Sequence, residues 1–252
     1  MIHVLLIAAL QNAQPPEAPA AEGPEPLVTD RPDVTESTPT IPAGRVQLEG
    51  GYTCTAGEDL LGHNVGELLF RVGVGDRLEL RLGAASLAFD TDGGVSGATD
   101  ASIGVKLRLL EEKGPRPAFS IILQSSVPVH DSDFGGAEPE PEFKLLWSKD
   151  LPRGLSLAGN INAAAPVADD GGRYFEPAVS VSLGVPLADR LGLFVEYFAF
   201  VPIGNHETST HYANAGLTFL ISPDLQFDIR AGAGLNDHAD DFFAGAGFAV
   251  RF

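Results

Sequence analysis

The sequence predicts an all-β chain, an antiparallel, up-and-down transmembrane β-barrel of about 12 strands with short periplasmic turns and longer external loops. Three observations predict it. Apolar and polar residues alternate with a period of two from Arg45 to the end of the chain, the mark of strands with one apolar face. The links between alternating runs are short and long by turns, which is the layout of outer-membrane barrels. The last run, 242–252, reads Phe-Phe-Ala-Gly-Ala-Gly-Phe-Ala-Val-Arg-Phe. It places Phe242, Ala244, Ala246, Phe248, Val250 and Phe252 on one apolar, aromatic-rimmed face. In bacterial outer-membrane barrels the closing strand commonly ends in an aromatic residue read by the barrel-assembly machinery, so Phe252 is the expected assembly signal.

Composition limits the alternatives. The 252 residues suffice for one medium barrel, and although 44% are hydrophobic, no run approaches the roughly 18 apolar residues of a membrane-crossing helix. Barrel strands alternate and escape that criterion. A net charge of −18 argues against nucleic acid as a partner. Cys54 is the sole cysteine, which excludes an internal disulfide and a cysteine metal cluster. No Gly-rich phosphate loop follows a strand and opens a helix, and no cofactor is expected.

The chain divides into four parts. Residues 1–13 hold a short apolar run, Val4 to Leu10, and read as a signal peptide, although no Lys or Arg precedes the run. Residues 14–26 are a Pro/Ala/Glu-rich linker. Residues 27–44 have neither helical nor strand period and are expected as a periplasmic segment: either a small plug carrying Asp30, Arg31, Asp33 and Glu36, with Arg31 paired to lumen carboxylates, or a leader that only positions the first strand. Residues 45–252 form the barrel.

Along the barrel each run has an apolar and a polar face. Val46, Leu48 and Tyr52 oppose Gln47, Glu49 and Thr53. Leu68, Phe70 and Val72 oppose Glu67 and Arg71. A Gly75-Asp76 hairpin link leads to Leu78, Leu80 and Leu82 against Glu79 and Arg81. Ile103, Val105 and Leu107 oppose Lys106 and Arg108; Phe143, Leu145 and Trp147 oppose Lys144. Val179 and Val181 oppose Ser180 and Ser182. Val195 and Tyr197 oppose Glu196, with Phe194 and Phe198 on the glutamate's side. Ala213 and Leu217 oppose Asn214, and Phe227 and Ile229 oppose Asp228 and Arg230. Longer loops are expected near 54–63, 87–99, 129–140, 163–173, 202–210 and 235–241. They hold much of the acidity, including Asp59, Asp90, Asp131, Asp133, Asp170, Asp237 and Asp241. Such a rim reads either as solvated loop tips or as a site for divalent cations that bridge lipopolysaccharide phosphates.

A soluble sandwich would also alternate. Loop parity, the terminal Phe252 and the signal-like start favour a barrel with its apolar face in outer-membrane lipid. The charges then line the lumen: Glu49, Glu67, Arg71, Glu79, Arg81, Lys106, Arg108, Lys144, Glu196, Asp228 and Arg230. They read either as a constriction that selects a small-molecule solute or as a network that fills a closed interior. The first reading makes the chain a channel or transporter, the second a structural or surface-binding barrel.

The opening Thr29-Asp30-Arg31-Pro32-Asp33-Val34-Thr35-Glu36-Ser37 and Ile41-Pro42-Ala43-Gly44-Arg45-Val46-Gln47-Leu48-Glu49-Gly50-Gly51-Tyr52 resemble the first motif of the outer-membrane family labelled MetA-pathway of phenol degradation, often called simply transporter. Leu69 to Arg81 is similar to that family's second and third strands, and Ser222 to Asp228 to its penultimate hairpin. The resemblance implies an outer-membrane barrel with a channel or transport role; its label names a genetic context and implies no phenol chemistry, and no catalytic residue carries over. The solutes expected of such a channel are small, hydrophobic or aromatic ones. Hydrolase-like groupings, His206 with Ser209 and His211 or His130 with Ser132, lie in loops without a third partner on a rigid strand. His238 with Asp237, Asp240 and Asp241 reads as a solvated loop rather than a metal site. An enzyme is not expected.

Overall fold

The computed structural model describes residues 25–57, 61–91, 95–129, 134–136, 138–168, 170–204 and 208–252. Residues 1–13, most of the 14–26 linker, and the loop groups His130, Ser132 and His206 lie outside the described residues. The strands are β1 (Val46–Ala56), β2 (Leu61–Gly73), β3 (Leu78–Gly83), β4 (Leu87–Asp90), β5 (Ser96–Ala98), β6 (Ala101–Leu110), β7 (Ala118–Val127), β8 (Pro141–Asp150), β9 (Ser156–Ala164), β10 (Glu176–Ala188), β11 (Leu191–Phe200), β12 (Thr210–Ser222), β13 (Leu225–Gly234) and β14 (Phe242–Arg251). All pairings are antiparallel, and β14 returns to β1 from Gln47 opposite Arg251 to Ala56 opposite Phe242. Because β1 also pairs with β2, the sheet closes and no edge is left for aggregation.

The strand elements make a barrel of twelve staves. β3 and β4 both pair with β2, β4 pairs with β5, and β3 pairs with β6. Thus β3 with β4 is one interrupted stave and β5 with β6 is the next. The cause lies in β2, where the register against β1 shifts at Gly66 and Glu67, whose φ angles are 108° and 41°. A bulge there kinks the strand and changes which parity faces the lumen. This corrects the expected loops at 54–63 and 87–99. β1 runs to Ala56, β2 begins at Leu61, and β4 and β5 lie within 87–99. A single-phase alternation cannot be followed through a bulge, and β4 and β5, four and three residues long, are too short to show one.

The sidedness is that of a membrane barrel. Leu80 is 42% exposed and Ile229 54%, whereas Arg81 is 3% and Arg71, Glu79 and Lys106 are 0% exposed. Ile103, Leu123, Ile161, Val181, Val195 and Phe227 extend the exposed apolar surface. In water this belt would be a standing cost of about 25 cal/mol per Å²; in hydrocarbon it carries none. The interior is built from charged and hydroxyl side chains instead.

The short turns, including Gly75-Asp76 and the one-turn 3-10 helix Pro152–Gly154, share a rim with Arg45 and Phe252. Phe252 N–H donates to the Val46 carbonyl at 2.8 Å, and the Phe252 carbonyl accepts from Arg45 Nε at 2.5 Å.

Candidate functional site

The lumen is occupied by the chain itself. Residues 27–44 enter beside the 222–224 turn, where Leu27 N–H donates to the Pro223 carbonyl at 2.7 Å. They rise to a tip at 32–35 and come back down to Gly44, whose N–H donates to the Gly73 carbonyl at 2.9 Å. The segment has no strand of its own, so its polar backbone finds partners in inward side chains. Asp30 N–H donates to Glu49 at 3.0 Å, and Ile41 N–H donates to Glu79 at 2.9 Å. At the tip Val34 N–H and Thr35 N–H donate to the two oxygens of Glu196 at 2.9 and 2.6 Å. The Arg230 guanidinium donates to the Pro32 carbonyl at 3.0 Å.

Charges join the segment to the wall. The Asp30 carboxylate lies 2.5 Å from Arg81, 3.0 Å from Lys106 and 3.3 Å from Arg71. Glu36 meets Arg81 at 2.9 Å and Lys144 at 3.3 Å. On the opposite side Arg31 meets Glu67 at 2.9 Å and Asp228 at 3.5 Å. Arg71 and Arg81 face each other in the β2–β3 register, an arrangement that is repulsive by itself. Glu79 lies 2.8 Å from Arg71 and 3.0 Å from Arg81, and Asp30 adds the second neutralising charge. The wall is therefore cationic toward Asp30 and Glu36, and acidic toward Arg31.

Two glycines make the fit steric as well. A Cβ at Gly51 of β1 or Gly247 of β14 would collide with the Arg31 guanidinium. The small face of the last strand is thus the seat of a segment cation. On the return limb the Thr38 and Ser148 hydroxyls are 2.6 Å apart, and Ser120 donates to the Thr38 carbonyl at 2.6 Å.

Ten of the expected lumen residues line the interior as read: Glu49, Glu67, Arg71, Glu79, Arg81, Lys106, Lys144, Glu196, Asp228 and Arg230. Arg108 lies lower in the wall, lining the short-turn mouth beside Pro39 to Pro42. It sits at the short-turn rim, bonded to the Asp76 carbonyl at 2.5 Å and Glu111 at 3.4 Å. Alternation reports the face of a residue but not its height in the barrel. Glu67 stands apart from the linked Arg71, Glu79 and Arg81 and meets Arg31 of the segment instead. His211 Nδ1 lies 2.7 Å from the Tyr197 hydroxyl, on the outward-facing side of β11. Among the described residues no cluster of His, Cys, Asp and Glu is arranged to hold a metal ion.

Sequence reasoning missed the neutral partners Gln47, Ser120, Ser148, Ser180 and Gln226, since Ser and Gln on a polar face carry no distinguishing signal. It also missed an aromatic cup above the tip. Phe198 and Tyr212 stack with ring centroids 4.8 Å apart, Phe243 lies 6.1 Å from each, and the Arg230 guanidinium is 5.5 Å from the centre of the Phe243 ring. With Val34, Thr53, Thr55, Phe200 and Asp240 these residues line an open cup of about 190 Å³. The signal was present, since Phe198 and Phe243 stand out as large residues on polar faces. Below the tip, between the inbound limb and β9–β12, lies a second cavity of about 340 Å³ lined by Arg31, Pro32, Asp33, Ser156, Phe194 and Thr218, among others.

An apolar exterior, a closed sheet and a charged, filled lumen define a transmembrane β-barrel of the bacterial outer membrane. The chain belongs to the family described as "Putative MetA-pathway of phenol degradation", whose sequence pattern matches residues 29–252. Its structure is similar to that of an outer membrane channel from Pseudomonas putida F1, with a TM-score of 0.65 and 11% identity over 85% of this chain and 98% of that one. It is also similar to the NanC porin (TM-score 0.58, 9% identity, 81% of this chain and 98% of that one) and to the KdgM porin (TM-score 0.55, 9% identity, 82% and 99%). No curated protein matches the sequence.

Proposed function

We propose that this chain is an outer-membrane channel for small hydrophobic or aromatic solutes, with residues 27–44 as a resident plug. The observation that carries the solute class is the aromatic cup. An apolar cavity of roughly 150 Å³ suffices for benzene, and this open cup measures about 190 Å³. Stacked Phe198 and Tyr212 offer a planar ring its preferred offset contact. The Arg230 guanidinium supplies donors for an oxygen substituent on that ring. The fold similarity to a channel and to porins supports passage through the lumen rather than a purely structural wall.

The test is current through planar bilayers containing the folded full chain, with benzoate or cyclohexanecarboxylate as the sole anion. The two differ in planarity more than in size or charge. Benzoate is expected to carry or block current at several-fold lower concentration, and Phe198→Ala with Tyr212→Ala is expected to erase that difference. Equal behaviour of the two anions in the parent protein would remove the aromatic preference. Absence of any current from folded protein would instead favour a closed-lumen structural barrel.

A further inference from the structure

The two cavities are separated by very little protein. On β11 the inward positions in succession are Phe194, Glu196 and Phe198. Phe194 lines the inner cavity, Phe198 lines the aromatic cup, and Glu196 holds the tip between them. Successive inward residues of a strand are roughly 7 Å apart, so the partition is about one side-chain layer thick. The segment's contribution to it is Pro32 to Thr35. Pro32 and Asp33 face the inner cavity and Val34 faces the cup.

The tip and its limbs are held differently. Arg31 and Glu36, which flank the tip, are each ion-paired to two wall residues, and Asp30 is close to three cations. The return limb adds Thr38 on Ser120 and Ser148 and Ile41 on Glu79. Among the described residues the tip makes no ion pair. It hangs mainly on Glu196, which accepts from Val34 N–H, Thr35 N–H and the Thr35 hydroxyl, together with the Arg230, Ser180 and Asp33–Ser182 contacts. Losing the tip contacts leaves every buried charge of the limbs paired. Withdrawing the whole segment would strip Arg71, Arg81 and Lys106 of Asp30 in a desolvated site, the costlier event.

We propose that solute crosses along the β11–β12 flank, from the aromatic cup to the inner cavity, and that the gate is the tip Pro32–Thr35 latched by Glu196. The limbs stay docked while the tip moves. Glu196 is thus a positioning residue for the gate, and Phe194 is the first ring that solute meets beneath it. This inference rests on the channel reading above.

Two disulfides separate tip from limb. In a Cys54→Ser background, Thr35→Cys with Ser180→Cys ties the tip, where the native hydroxyls lie 2.8 Å apart. Thr38→Cys with Ser148→Cys ties the return limb, where they lie 2.6 Å apart. Each protein is compared with itself, oxidised and reduced, in the benzoate bilayer measurement, with heat-modifiable gel mobility reporting the folded barrel. Oxidation of the tip pair is expected to cut current at least tenfold and reduction to restore it, while oxidation of the limb pair changes current less than twofold. In a separate protein, Glu196→Gln is expected to lengthen open times several-fold. Block by both disulfides would show that the whole segment must leave, and block by neither would show that solute does not cross the tip; either result overturns the proposal. No current from the reduced proteins would overturn the channel reading itself, and this inference with it.

Discussion

At the scale of single residues, Asp30 does the work of several. Its carboxylate sits among Arg71, Arg81 and Lys106 and accepts from the Ser37 N–H and hydroxyl at 2.8 and 2.5 Å. Removing one partner of a buried charge cluster costs about 3–5 kcal/mol, because the remaining charges stay desolvated. Asp30→Asn is therefore expected to undock the segment while the lipid-facing wall survives. Maleimide labelling of Thr35→Cys in the Cys54→Ser background should speed up at least tenfold, and unchanged labelling would show that Asp30 does not anchor the segment. Arg31 gives a steric counterpart. Gly51 and Gly247 leave the space that its guanidinium fills, and overpacking such a site costs about 1–3 kcal/mol. Gly247→Ala should loosen the segment as much as Arg31→Ala does, and the double variant should be no looser than either. Additive loosening would mean that the glycine serves the strand and not the cation. The sequence suggests a plug-like segment with Arg31 against lumen carboxylates, but not which residues seat it. Asp30 and Arg31 find partners up to 197 positions away, and no local period in 27–44 reports such contacts.

At the scale of elements, the bulge in β2 explains both a misreading and a design. Period-two alternation placed most wall residues on the correct face, because inward charge and outward hydrocarbon repeat with the pleat. It fails at Gly66–Glu67, where the strand changes phase, and at β4 and β5, whose four and three residues are too few to show a period. The bulge turns Glu67 toward Arg31, at the cost of a left-handed backbone at a non-glycine residue. Gly66, with φ of 108°, is the hinge of that turn. Gly66→Val should cost about 1–3 kcal/mol and release β4 from β2, detectable as faster amide exchange at Ala88 and Phe89. Gly75→Ala, with no atom near the added methyl, should leave exchange unchanged. At the short-turn rim, the hydrogen bond from Lys149, helped by the Asp150 N–H, holds the Glu112 carboxyl below its ordinary range. That pinning of the 111–116 turn is complete above the unfolded-state pKa and is lost as pH falls through the lower folded value. A carboxyl NMR titration placing Glu112 at or above the ordinary range would contradict it.

At the scale of the whole molecule, the fold inverts the usual placement of side chains, and lipid makes the inversion stable. Buried Arg71, Glu79 and Lys106 are tolerated because each is paired inside a closed wall. The exposed belt is tolerated because no water reaches it. The belt has a depth as well as a face, and depth can be tested along one strand. On β13, Leu225 lies beside the short 222–224 turn, Ile229 lies further up the wall, and both point outward. An arginine on the lipid face costs about 2–4 kcal/mol at the bilayer midplane and about 0–1 near an interface. Ile229→Arg should therefore lower the unfolding free energy by about 2–4 kcal/mol in phospholipid vesicles, and Leu225→Arg by no more than about 1. Urea titration of tryptophan emission from Trp147, the sole tryptophan, measures both. In a water-exposed sheet the two arginines would be equally tolerated, so the difference between them reports the membrane itself: the wall would have to be hydrated on the outside for that difference to vanish, and the charged interior would then lose the closed, lipid-clad wall that keeps it paired.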